Sequence, residues 1–228
     1  FFLYLLLTNA IITIDGMITQ NTFIKIPEGL DSFGEYFYLF KQILPFHGIY
    51  DLIKYFAKLG FTRGAEIGVA EGYLSEAMFK AIPNLHLYCI DIWQPYRGNA
   101  WSGSIARNDR NFMVASKRLA NYDATLIRQM SMDAVKQFTD NSLDFVYIDS
   151  NHAFDYVMQD LIEWSKKVRV GGIVSGDDYY RFKKAGVIEA VDAYTKAHGI
   201  KFNLTDPYPG KIMDRGHQEQ PSYWWIKT

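Results

Sequence analysis

Cys89 is the only cysteine in the chain. One thiol cannot close an internal disulfide, and a reducing compartment, the cytoplasm, is the simpler setting. An excess of charge of one sign is also missing. The 24 Lys and Arg against 25 Asp and Glu leave −1 at pH 7, which is no electrostatic footprint for nucleic acid. Long apolar runs are missing too. The opening FFLYLLLTNAIITI is apolar but falls short of the roughly 20 residues that span a bilayer as a helix. The first cation is Lys25, so this stretch lacks the basic leader of a signal peptide. Neither nucleic acid nor membrane is expected as a partner. Met17 is the candidate native start, and an added strand or helix is the other reading of residues 1–16. There is no internal repeat, low-complexity tract or linker.

What remains is enough for one globular domain: 228 residues, 49% hydrophobic, 16% aromatic. The aromatics suggest a ligand pocket or an interface, although a large core accounts for most of them.

The informative stretch runs from 143 to 180, LDFVYIDSNHAFDYVMQDLIEWSKKVRVGGIVSGDDYY. Apolar runs at 143–148 and 172–175 each end in acid, Asp149 after the first and Asp177 with Asp178 after the second. Phe154, Val157, Leu161, Trp164 and Val168 between them keep helical spacing, which predicts strand, helix, strand. A right-handed crossover makes the strands parallel. It brings the three carboxylates to the carboxyl edge of the sheet, where open α/β sheets bind ligands. Three clustered carboxylates need a cation, shared protons or wide spacing. All-oxygen ligands suit Mg²⁺, Ca²⁺ or Mn²⁺. The bland reading is that Asp177 and Asp178 cap a loop. His152, three residues past Asp149, is placed either as a base near neutral pH or as a helix cap. Histidines 47, 86, 198 and 217 have no such context.

The remainder predicts further alternation. Helices are expected at 33–44, from Ile49 to a cap at Gly60, from Leu74 to a stop at Pro83, in the second half of 94–121, at 132–138, and at 187–198 with Val187, Ile188, Val191 and Tyr194 inward. Strands are expected at 65–67, 85–93 and 124–130. IKFNL and SYWWIK near the end have no helix-length segment between them, so they should pair antiparallel. Such alternation indicates an α/β sandwich.

The turn EIGVAEG carries Glu66, Gly68 and Gly72. Small residues after a first strand admit a ligand close to the backbone. The dinucleotide fingerprint G-x-G-x-x-G is absent, which disfavours an NAD-dependent dehydrogenase. Asp91, ending the second strand, is placed to accept ribose hydroxyls, or is simply solvated. Ser131 and Asp133, past the third strand, sit where adenine could be read, with an N-cap at Ser131 as the alternative.

From about residue 49 to 227 the chain resembles the class I S-adenosylmethionine-dependent methyltransferases. AEIGVAEG is similar to the first motif of that family and CIDIW to its second. YIDSNHAFDYVMQDLIEW with VGGIVSGDDY resembles the macrolide-sugar O-methyltransferase subgroup. The aspartate pattern also resembles the Mg²⁺ site of catechol and caffeoyl-CoA O-methyltransferases. The resemblance implies a Rossmann-like three-layer sandwich. Its seven-stranded, mostly parallel sheet would run 3-2-1-4-5-7-6 and end in an antiparallel strand.

The resemblance also implies that Glu66, Gly68, Ala70 and Gly72 line the methionine end of S-adenosylmethionine. Asp91 would hold ribose, and Ser131 and Asp133 would border adenine. Asp149, Asp177 and Asp178 would bind Mg²⁺ or another hard divalent cation, with Asp149 and His152 as the catalytic pair. The implied reaction is in-line methyl transfer to a hydroxyl of a small-molecule acceptor, a sugar or other polyol or phenol. Trp93, Tyr96, Trp101 and Tyr179 are candidates for the acceptor wall or for the core. An extension and helical cap over 1–48 would precede the methyltransferase domain over 49–228, and a homo-oligomer is an open option. Two departures stand out: several catechol-type enzymes have Asn at the position of Asp178, and 93–109 matches no acceptor signature. Rival readings are a methyltransferase fold that binds cofactor without catalysis, or a metal-dependent hydrolase.

Overall fold

A computed structural model describes residues 48–96, 103–181, 185–205 and 221–228. The expected helix at 33–44, the extension before Gly48 and Trp101 lie outside these residues. The elements are α1 (Gly48–Lys58), β1 (Arg63–Ile67), α2 (Tyr73–Ala81), β2 (His86–Asp91), α3 (Ile105–Leu119), β3 (Ala124–Arg128) and α4 (Ser131–Ala134). They continue through a 3-10 turn (Val135–Gln137), β4 (Leu143–Ile148), α5 (Phe154–Lys167), β5 (Val168–Gly176), α6 (Val187–Ala197), β6 (Asn203–Leu204) and β7 (Tyr223–Ile226).

The sheet order is β3-β2-β1-β4-β5-β7-β6. Strands β1 to β5 pair in parallel, while β7 runs antiparallel to both β5 and β6. This is the expected topology. Its layers follow from the period of two along each strand. On β4, Val146 and Ile148 face one core with Trp164 and Leu161 of α5 and Val191 of α6. Phe145 and Tyr147 face the other, with Phe56 of α1, Met78 of α2 and Leu119 of α3. Phe56 stacks on Phe145 at 4.5 Å between ring centroids, which fixes α1 against the middle of the sheet.

Helix α1 ends where expected. Gly60 takes φ +70, and Phe61 N–H closes back on Phe56 C=O at 3.1 Å, a C-terminal cap that a side chain would strain. Three details depart from the sequence pattern. Val168 belongs to the start of β5 rather than to the helix, because α5 runs straight into the strand with no loop between. The segment after β3 splits into one α turn and one 3-10 turn. The inner row of α6 is Val187, Ala190, Val191 and Thr195, with Ile188 and Tyr194 half-buried. Among the described residues, no helix is long and apolar enough to cross a membrane.

Candidate functional site

The parallel strands end in loops along one edge, and a cleft of ≈ 260 Å³ opens there. Gly68, at the end of β1, has φ +96, and a Cβ on it would lie 1.9 Å from the carbonyl oxygen of Asp149. Only glycine lets the β1 turn pass this close to the β4 loop. Asp149 N–H donates to Ile67 C=O at 2.7 Å, so the turn and the first acid share one edge.

Asp91 ends β2 and organises the turn. Its Oδ2 accepts the N–H groups of Val69 and Ala70 at 3.0 and 2.9 Å, and its Oδ1 accepts Trp93 N–H at 2.8 Å. The indole Nε1 of Trp93 returns a bond to Ala70 C=O at 2.8 Å, holding Ala70 at φ 49. The carboxylate therefore stitches turn to strand while still lining the cleft. Each carboxylate oxygen has further lone pairs to offer a ligand.

Gly68, Ala70, Asp91, Ser131 and Asp149 line the cleft. Glu66, Gly72 and Asp133 do not. Glu66 points to the opposite face of β1, buried under α2, where it accepts the Ser75 hydroxyl. Burial pushes its carboxyl up to about 8. Gly72 precedes α2 with φ 76. Asp133 is exposed and pairs with Lys136 at 2.8 Å, because the first turn of α4 carries it away from the cleft.

At the mouth, Asp149, His152 and Asp178 each offer a ligand atom, all within 4.8 Å of one another. His152 Nε2 lies 2.7 Å from Asp178 Oδ2 and 3.4 Å from Asp149 Oδ1. Burial works against a charged imidazole, but the two carboxylates outweigh it and push His152 up to about 10. Asp177 is not part of this group. Both aspartates lie past the end of β5, and Asp178 takes φ 58; the chain turns between them, and Asp177 accepts Ser222 Oγ at 3.1 Å. Burial, with the charges of Asp149 and Asp178, pushes it up to about 7.

Of the aromatic candidates, Trp93 and Tyr96 line the cleft. Asn151 Nδ2 donates to Tyr96 OH at 3.1 Å. Tyr179 instead packs on Phe202 and donates to Asp192 at 2.7 Å.

The sequence reading missed Asp160, Ser150, Asn151 and Tyr156, which also line the cleft. One signal was present. Asp160 falls beside Leu161 inside the apolar stripe of α5, where a charge is costly without a purpose.

This sheet order and its ligand edge define a class I, S-adenosylmethionine-dependent methyltransferase. Residues 65–179, half of the chain, match a family model described as a methyltransferase domain, and the chain belongs to that family. No curated protein matches it in sequence. Among solved structures it is similar to the O-methyltransferase NovP, with 19% identity, TM-score 0.53, and 78% of this chain and 79% of that one covered. It is similar to the O-methyltransferase from Bacillus cereus in complex with SAH, with 14% identity, TM-score 0.56, and 90% and 94% covered. A third is the O-methyltransferase TomG from Streptomyces achromogenes in complex with SAM, with 17% identity, TM-score 0.54, and 78% of each chain covered.

Proposed function

We propose that the chain moves the methyl group of S-adenosylmethionine to a hydroxyl oxygen of a small molecule, a sugar or another polyol or phenol, with a hard divalent cation such as Mg²⁺ at the cleft mouth. The observation that carries this reading is the convergence of Asp149, His152 and Asp178 beside the cleft. The naming of similar structures as O-methyltransferases supports the oxygen acceptor.

The donor set fits a hard cation. It is rich in carboxylate oxygen. Among the described residues, no Lys or Arg pairs with Asp149, Asp177 or Asp178, and His152 faces both Asp149 and Asp178. Asp149 and Asp178 would hold the ion, with Asp177 adding charge from behind. When bound, a dication lowers the pKa of a substrate hydroxyl and takes over the carboxylate charge that otherwise keeps His152 protonated.

The residues of the chain supply the rest. The turn at Gly68 to Ala70 admits the donor close to the backbone, and Asp91 and Ser131 hold its nucleoside. Neutral polar residues that line the cleft, among them Gln94, Asn108, Asn111 and Tyr156, suit a polyhydroxylated acceptor. His152 removes the acceptor proton onto its imidazole. The C–S bond breaks with its electron pair leaving on sulfur as the new C–O bond forms in line. Most of the acceleration comes from alignment and from an oxyanion formed out of bulk water. A small-molecule acceptor and a cytoplasmic setting belong to the same reading.

The test is transfer of labelled methyl to a panel of polyols and phenols. Asp149→Ala should abolish Mg²⁺-dependent transfer and leave the melting temperature within a few degrees. Undiminished turnover of that variant in EDTA would remove the metal from the mechanism.

A further inference from the structure

Asp160 lies on α5 with 3% of its surface exposed. Its carboxylate accepts two hydroxyls, Ser131 Oγ and, at 2.6 Å, Ser150 Oγ. Ser131 Oγ in turn accepts Trp164 Nε1 at 2.8 Å. Among the described residues, no Lys, Arg or His pairs with Asp160. A buried carboxylate without a cation carries a large desolvation cost, and an apolar residue would fit the stripe better. The three elements it joins are the start of α4, the loop after β4 and α5. Ser131, Ser150 and Asp160 all line the cleft.

The direction of these bonds carries information. Burial pushes the Asp160 carboxyl up to about 6; above that pH it is ionised and only accepts, so both serine protons point at it. A serine hydroxyl has one proton and two lone pairs. Ser150 Oγ is left with its lone pairs, and Ser131 Oγ with the one that Trp164 does not use. Toward the cleft, both can act only as acceptors.

We infer that Asp160 sets the polarity of this wall. By taking both hydroxyl protons it makes Ser131 and Ser150 acceptors and selects a ligand that offers an amino group there. The inference rests on the cofactor reading above, in which that amino group is the exocyclic one of adenine. Asp160 is then a positioning residue whose effect appears as discrimination between purines, adenine over the 6-oxo base hypoxanthine.

The experiment is calorimetric titration of S-adenosylhomocysteine and S-inosylhomocysteine into the wild type, Asp160→Asn and Ser150→Ala, with melting temperatures alongside. In Asp160→Asn the side-chain amide must donate to one serine, which frees that hydroxyl to donate into the cleft. The wild type is expected to favour the adenosyl ligand by at least about tenfold. Asp160→Asn should bring the ratio toward one, and Ser150→Ala should weaken the adenosyl ligand alone. A ratio unchanged in folded variants overturns the inference and leaves the cofactor reading standing. If Asp160→Asn does not fold, Ser150→Ala decides by the same ratio. A wild type that binds neither ligand overturns both.

Discussion

Glu66 carries its proton far into the neutral range. Burial under α2 disfavours its charge, the Ser75 hydroxyl offsets part of that, and Asp149 and Asp91 add repulsion, so the carboxyl moves from its ordinary 4.5 up to about 8. The folded chain therefore binds more protons than the unfolded one across that window, and the contribution of Glu66 to stability falls as pH rises from about 4.5 to about 8. The full effect is at most about 5 kcal/mol. Urea denaturation at pH 5 and pH 9 should show a smaller drop for Glu66→Gln than for the wild type, since glutamine can still accept the Ser75 hydroxyl. An identical drop in both proteins would mean that Glu66 is not shielded from water. Glu66 also shows where sequence reading stops at this scale. The motif named the residue, but only the strand's alternation decides that its side chain faces away from the cleft. Asp177 is a related case: two adjacent aspartates look equivalent in sequence, and the turn past β5, with Asp178 at φ 58, sends them to different partners.

Among elements, the opposite end of the sheet is tied by one side chain. Asp144, near the start of β4, accepts the N–H groups of Thr62 and Arg63 on Oδ2 at 2.8 and 2.9 Å and Arg169 Nε on Oδ1 at 2.8 Å. It joins the beginnings of β1, β4 and β5. Burial opposes its charge, but these donors outweigh it and hold its carboxyl below the usual range. Its stabilisation is therefore present above its unfolded pKa and is lost as pH falls through the lower folded value. Asp144→Ala should cost about 2–3 kcal/mol in denaturant unfolding at pH 7. Ligand affinity per folded molecule should not change, because the cleft lies at the other end of the strands. A matching loss of affinity would show that the two ends are coupled. Most of these elements were legible in the chain. β4 has the limits that its apolar run predicts, and α1 stops at Lys58 with Gly60 as its cap. The errors fall where an expected loop is absent, as at Val168, or where a short helix tightens, as after Ser131. Periodicity cannot see either, since both depend on what the neighbouring strand demands.

For the whole molecule, the terminal antiparallel pair was predictable because no helix separates IKFNL from SYWWIK, and β7 accordingly inserts between β5 and β6. The site was partly legible for a related reason. Parallel strands must end at one edge, so acids at strand ends must gather there. The wall built by Ser131, Ser150 and Asp160 was less visible, because its three residues come from separate loops and a helix face. The central claim is that this one edge holds an adenosyl donor and a hard cation side by side. A crystal grown with S-adenosylhomocysteine and Mn²⁺, measured for anomalous scattering, tests it most directly. The expected result is the nucleoside in the cleft between the Gly68 turn and Ser131, with the anomalous peak between Asp149 and Asp178. A cleft that stays free of nucleoside, or a peak anywhere else, would contradict it.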